Sequence, residues 1–276
     1  MSALRSDRPG LHQAARPDLR RAPELWLVDL DAAAAALVAA ERAAPSLAAG
    51  ERARLRGLAG AGERRRRAGA HIALRLLLQR CLGPAARGRA LLRSAGGKPR
   101  LAGGAVAFSL SHAGGLALIA LVPGDRAVGV DVEARRPLAM SARRRTETVA
   151  VGVGLAGAPA GDPAEDAPVL QAWCRLEAFA KARGDGVGSV LSRLGLREAG
   201  ARTRPPWQIE AAAQRLARSA GLRVSDVALP AGLFGAVAIT AASPPPSLHR
   251  FPADLAGVRR LARWRATPRG SCRRRR

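Results

Sequence analysis

The chain has 276 residues, 48% of them hydrophobic, enough to bury a sizeable core in one large domain or two small ones. A formal charge of +25 favours acidic partners (phosphorylated cofactors, acidic proteins or nucleic acid), while the absence of tyrosine and only 3% aromatic residues argue against a base-stacking platform for single strands. Cys81, Cys174 and Cys272 lack metal-ligand spacing and fit a reducing compartment; no run approaches 18 apolar residues and none follows the N-terminal arginines, so a cytoplasmic chain without signal peptide or membrane span is expected.

Residues 1–22 are Arg- and Pro-rich without periodicity and read as a flexible basic arm. Glu24 to Asp31 reads as the first strand. An alanine-rich stretch follows to Ala49, Gly60 and Gly62 break the chain, and Glu63 to Leu82 carries leucines and arginines at helical spacing before a Gly-Pro stop. Two apolar runs, Val106 to Leu110 and Leu116 to Val122, flank Ser-His-Ala-Gly-Gly, the pattern of a hairpin or of strands around a glycine turn. Val128 to Glu133 is a further strand and Ala156 to Pro168 a loop; Val169 to Arg183 is a helix stopped by Gly184. Trp207 to Ala211, Leu222 to Leu229 and Phe234 to Ala241 read as strands of a second sheet, with Ser243-Pro-Pro-Pro ending the compact part before a basic tail. The organisation is an arm over 1–22, halves over 23–125 and 126–243, and a tail over 244–276.

Of 46 basic side chains only Lys98 and Lys181 are lysines. A lysine offers a compact, titratable ammonium, where guanidinium is a wide fork that stays charged. Survival from a drift towards arginine explains two stray lysines about as well, so their surroundings decide. Lys98 lies in Gly96-Gly97-Lys98-Pro99, a turn suited to a phosphate and equally an ordinary solvated loop. Lys181 ends the stripe Trp173, Glu177, Lys181 at i, i+4 and i+8, a surface salt bridge beside a buried Trp being the plainer reading. Asp131 and Glu133 lie two apart, so both project from one strand face; such paired hard oxygens suit magnesium, though an alternating strand with a wet polar face is the commoner cause. Phe108-Ser109-Leu110-Ser111-His112 ends an apolar strand with hydroxyl and imidazole donors, or with a core histidine.

Taken in order, G-K-P, F-x-x-S-H, G-V-D-x-E and W-x-x-x-E-x-x-x-K over about residues 52 to 190 make the chain resemble the Sfp-type 4′-phosphopantetheinyl transferases. The resemblance implies an α+β fold, a pseudo-dimer of two similar α/β halves with the coenzyme A site between them and a seam near Pro123 to Val128. It implies transfer of 4′-phosphopantetheine from coenzyme A to a serine of an apo acyl or peptidyl carrier protein, with release of 3′,5′-ADP, by a protein expected to be a monomer. Asp131, Glu133 and Glu177 match the family's magnesium ligands, Glu177 also facing the nucleophile's proton, and Lys181 matches the lysine that meets the leaving phosphate. Lys98, Ser111 and His112 match the positions that hold coenzyme A. Arg66 matches the helix arginine at the 3′-phosphate, with a slip of one possible within the run Arg64 to Arg67.

Two departures stand out. Leu176 occupies the place where most members carry a lysine before the glutamate, leaving that contribution absent or supplied by Arg175. Between Glu133 and Trp173 there is no aromatic-acidic helix of the kind expected at a carrier-protein surface. A catalytically degenerate member of the same fold is therefore one alternative. A nucleic-acid-binding protein is another, since nine arginines lie between Arg259 and Arg276, but no helix-turn-helix, zinc or RNA-binding signature accompanies them.

Overall fold

The computed structural model describes residues 22–94, 96–196 and 204–263. Most of the expected arm, the end of the expected tail and Cys272 lie outside the described residues. The chain runs β1 (Glu24–Asp29), α1 (Ala34–Ala43), α2 (Ala49–Arg56), α3 (Ala61–Leu82) and a 3-10 turn (Pro84–Ala86). Short strands β2 (Leu92–Arg93) and β3 (Pro99–Arg100) precede β4 (Val106–Ala113), β5 (Leu116–Pro123) and β6 (Val128–Ala134). Then come α4 (Ala142–Ala156), α5 (Asp166–Arg183), α6 (Val187–Arg193), α7 (Pro206–Ser219), β7 (Leu222–Asp226), β8 (Leu233–Thr240), β9 (Ser247–Arg250) and α8 (Leu255–Ala262).

This is an α+β architecture with three small sheets among the described residues, ordered β4-β5-β1-β9, β2-β3 and β6-β8-β7. The first sheet packs its Trp26, Val28, Phe108 and Ile119 face on α1 and α3. The third packs its Ala236 and Ala238 face on α5 and α7. Between the sheets lies a separate apolar layer, in which Val128, Val130 and Val132 of β6 meet Leu25, Leu118, Ala120 and Val122. Each such buried valine contributes about 1.5 to 3 kcal/mol, so this seam holds the two sheets as one body.

Two expectations are corrected. Trp207 to Ala211 is the first turn of α7 and not a strand: Pro206 opens the helix, and Ile209, Ala213 and Ala217 fall every four residues on its buried face. Trp207 itself is 66% exposed, which removes the apolar anchor a strand needs. The compact part also does not end at Ser243. Strand β9 pairs in parallel with β1, Leu25 opposite Leu248 and Trp26 opposite His249. Phe251 and Val258 then enter the first half's core, and Asp254 caps α8 by accepting from Gly257 N–H at 2.8 Å. The stretch between Glu133 and Trp173 holds α4, a helix capped by Ser141 and closed by Gly157 that has Glu147 as its one acid and no aromatic residue, and the start of α5. Among the described residues no helix is long and apolar enough to cross a membrane.

Candidate functional site

Strand β6 and helix α5 build the centre of the site. The β6 valines take up the seam face, so Gly129, Asp131 and Glu133 turn towards α5. Close approach is possible because residue 129 is glycine: a Cβ there would lie 2.0 Å from the Ala178 carbonyl oxygen. Helix and strand therefore touch, and Lys181 Nζ donates to Asp131 Oδ1 at 2.6 Å. From the other half Ser111 Oγ donates to the same Oδ1 at 2.7 Å and accepts from Lys181 Nζ at 3.3 Å. Asp131 is 4% exposed, and its Oδ2 is buried without a hydrogen-bond partner among the described residues.

Among the described residues the edge of β6 that faces away from β8 pairs with no strand, and side chains of the first half bond it instead. Val130 N–H donates to Ser109 Oγ at 3.1 Å, and Lys98 Nζ donates to the Val128 carbonyl at 2.7 Å. The turn carrying Lys98 is pressed against the end of α5: a Cβ on Gly96 would lie 1.7 Å from the Gly184 carbonyl oxygen. Gly184 closes α5 in the left-handed region, φ 77°.

A cleft of about 670 Å³ opens along this seam, lined by Arg54, Arg67, His71, Arg93, Lys98 and Lys181 among others. Burial lowers the Lys98 ammonium to about 8. The α3 wall is braced by Glu51, itself at the cleft, which accepts from Arg75 Nε at 2.9 Å, from Ala48 N–H at 2.9 Å and from His71 Nδ1 at 3.2 Å. Burial alone would raise the Glu51 carboxyl, but bonds from His71, Arg75 and Ala48 hold it at about 2. Ionised Glu51 fixes the His71 proton on Nδ1 and leaves Nε2 as that ring's other polar atom.

The structure thus gathers Lys98, Ser111, Asp131 and Lys181. Glu177, one helical turn before Lys181, joins them electrostatically: burial raises its carboxyl, Lys181 lowers it, and Asp131 and Glu133 raise it further. Glu133 bonds Arg136 at 2.7 Å. His112 lies beside α3, where its Nε2 accepts from Arg67 Nε at 3.2 Å, and burial lowers its pKa. Arg66 points elsewhere, in a two-pronged contact with Asp31 at 3.1 and 3.0 Å. Arg67, one step along, is the arginine of that run that lines the cleft. The slip of one allowed within Arg64 to Arg67 covers Arg67; sequence reasoning missed His71, although its spacing of four from Arg67 puts the two on one helix face, the face of buried Arg75.

Leu176 is buried and Arg175 does not replace the missing lysine. Arg175 is committed to Asp226 at 2.7 and 2.6 Å and to the Ala158 and Pro159 carbonyls at 2.7 and 3.1 Å. Among the described residues no group of three or more His, Cys, Asp or Glu side chains stands ready to hold a metal. The donors nonetheless suit magnesium, which binds through one or two carboxylates plus substrate phosphates. Asp131 Oδ2 is an orphaned buried oxygen, and the Glu177 carboxyl is desolvated beside it. Cys174 is no competitor as a ligand, because burial, Asp131 and Glu133 push its thiol up.

The chain matches no family model and no curated protein.

Proposed function

We propose that this protein is a 4′-phosphopantetheinyl transferase, moving phosphopantetheine from coenzyme A to a serine of an acidic apo acyl or peptidyl carrier protein. One observation carries the reading: the chain's two lysines line the same cleft, and one of them, Lys181, bonds Asp131 of its own half and Ser111 across the seam. A composition accident has no reason to bring them together. A second support is the seam cleft itself, between two sheets that each pack on their own helices, as a pseudo-dimer of α/β halves would have it.

The serine oxygen attacks the β-phosphorus of coenzyme A, a new P–O bond forms, the bond to the bridging oxygen breaks, and 3′,5′-ADP leaves. Glu177 takes the serine proton. A carboxyl raised by burial is a stronger base than an ordinary one, closer to the operating pH. Lys181 offsets charge on the departing phosphate or gives it a proton, while Ser111 keeps Lys181 and Asp131 in register. Lys98 and Arg67 hold phosphate oxygens on the cleft wall, and His112, bonded to Arg67, orients that guanidinium. Asp131 and Glu177, with Glu133 nearby, would hold magnesium, which supplies charge neutralisation at the pyrophosphate.

Incubation with coenzyme A, magnesium and a panel of apo carrier proteins, followed by intact mass, tests the reading. A gain of one phosphopantetheine on a carrier is expected. No gain on any carrier, together with tight coenzyme A binding, would favour a second reading, a relative that keeps the cleft without the chemistry. The observation behind that reading is the Asp131 to Lys181 contact, which already neutralises the aspartate.

A further inference from the structure

Ser109 is buried, at 6% exposure, and yet lines the cleft. Its oxygen accepts from Val130 N–H at 3.1 Å. A hydroxyl has one proton to give as well as lone pairs to receive with, and no acceptor for that proton is found among the described residues. A buried donor left unmade costs free energy, so such a group is kept where something else completes it. What the cleft can hold is set by its walls: the cations Arg54, Arg67, Arg93, Lys98 and Lys181 call for an anion, while the two acids there, Glu51 and Asp185, are already paired with Arg75 and Arg183. Those cations attract charge without fixing its position closely; a short hydroxyl anchored to the backbone of β6 does fix it.

We infer that Ser109 is a ligand-binding residue, donating its hydroxyl proton to a phosphate oxygen of the molecule in the cleft while its own oxygen stays locked on Val130. The inference rests on the coenzyme A reading above. It adds to the cleft a neutral donor two residues before Ser111, on the same face of β4, so the strand would present one hydroxyl to the ligand and the other to Asp131.

Calorimetric titration of the full chain with coenzyme A, without carrier protein and with and without magnesium, tests this. Ser109→Ala should weaken binding about tenfold in both conditions, the size expected of one hydrogen bond to a charged acceptor, and Ser109→Thr should restore it to within about threefold. Circular dichroism checks the fold of each variant. Should Ser109→Ala not fold, Ser109→Cys keeps the volume with a weak donor and should still lose affinity. Wild-type affinity in whichever of these variants folds overturns the inference and leaves the coenzyme A reading standing, the spare proton then being met by water. Wild-type protein that binds no coenzyme A at about 1 mM, the weak end of specific binding, overturns both.

Discussion

Two of the ion pairs on helix α5 are built to opposite specifications. Arg175, 1% exposed, spends its guanidinium on both oxygens of Asp226 and on two loop carbonyls, so its arrangement is closed. Lys181, six residues on, meets Asp131 with a side chain still 30% exposed, beside a carboxylate oxygen that has no hydrogen-bond partner among the described residues. The first pair fastens α5 to β7 and to the loop after α4. The second is unsaturated, and unsaturated buried polar groups are retained where a ligand completes them. Residue choice agrees: the rigid fork serves the closed site and the compact ammonium the open one.

Breaking each pair should separate the two roles. Asp131→Ala should lower transfer at least about a thousandfold, roughly 4 kcal/mol of transition-state stabilisation, while thermal unfolding moves by no more than about 2 °C, since Lys181 can turn to solvent. Near wild-type turnover in the mass assay would remove Asp131 from the chemistry. Arg175→Ala should do the reverse. It strands two carbonyls and a half-exposed aspartate, at a cost of about 2 to 3 kcal/mol, and should lower the unfolding midpoint by about 5 to 10 °C. Transfer by the protein that remains folded at 20 °C should stay within about threefold. A Tm that did not move would show that the closed pair fastens nothing.

The difference between these pairs was half legible in the sequence. Spacing along α5 and alternation along β6 put Glu177 with Lys181 and Asp131 with Glu133, because helix and strand periods are local properties of the chain. Facing partners are not local. Nothing in the sequence linked Arg175 to Asp226 across 51 residues or Ser109 to Val130 across 21. The register within Arg64 to Arg67 was also open, since a run of identical residues has no pattern; Asp31 takes Arg66 and so leaves the cleft to Arg67. The fold behaved alike. The β4-β5 hairpin and α5 were read from periodicity and glycine stops, whereas β9 was missed because four residues after three prolines become a strand only by pairing with β1.

Lys181→Arg sharpens the contrast at the open pair. If that pair only needed charge, arginine would serve, as it does nearly everywhere else in this chain. With Asp131 Oδ1 at 2.6 Å and Ser111 Oγ at 3.3 Å from the ammonium, a wider guanidinium cannot take the same place, and arginine has no proton to give at neutral pH. Turnover should fall about a hundredfold with coenzyme A affinity changed by less than about threefold. An unchanged rate would make the lysine incidental.

Lys98 offers the smallest effect and the one most specific to lysine. Its folded pKa of about 8 lies below the ordinary lysine value because burial disfavours the charged form. The unfolded chain therefore binds more protons than the folded one between pH 8 and the ordinary value near 10.5, and within that window this residue's contribution to stability rises with pH. Ligand binding should run the other way. A phosphate beside Lys98 favours the ammonium, so coenzyme A binding should draw in a proton near pH 8 to 9 and weaken as pH climbs through that range. Lys98→Arg should raise the Michaelis constant at pH 7, because the wider fork fits the turn less well, yet remove most of the pH dependence between 7 and 9.5, because guanidinium stays charged throughout. Titrations of wild type and variant at four pH values across that interval read both effects. Parallel curves would mean that Lys98 holds the Val128 carbonyl and nothing else.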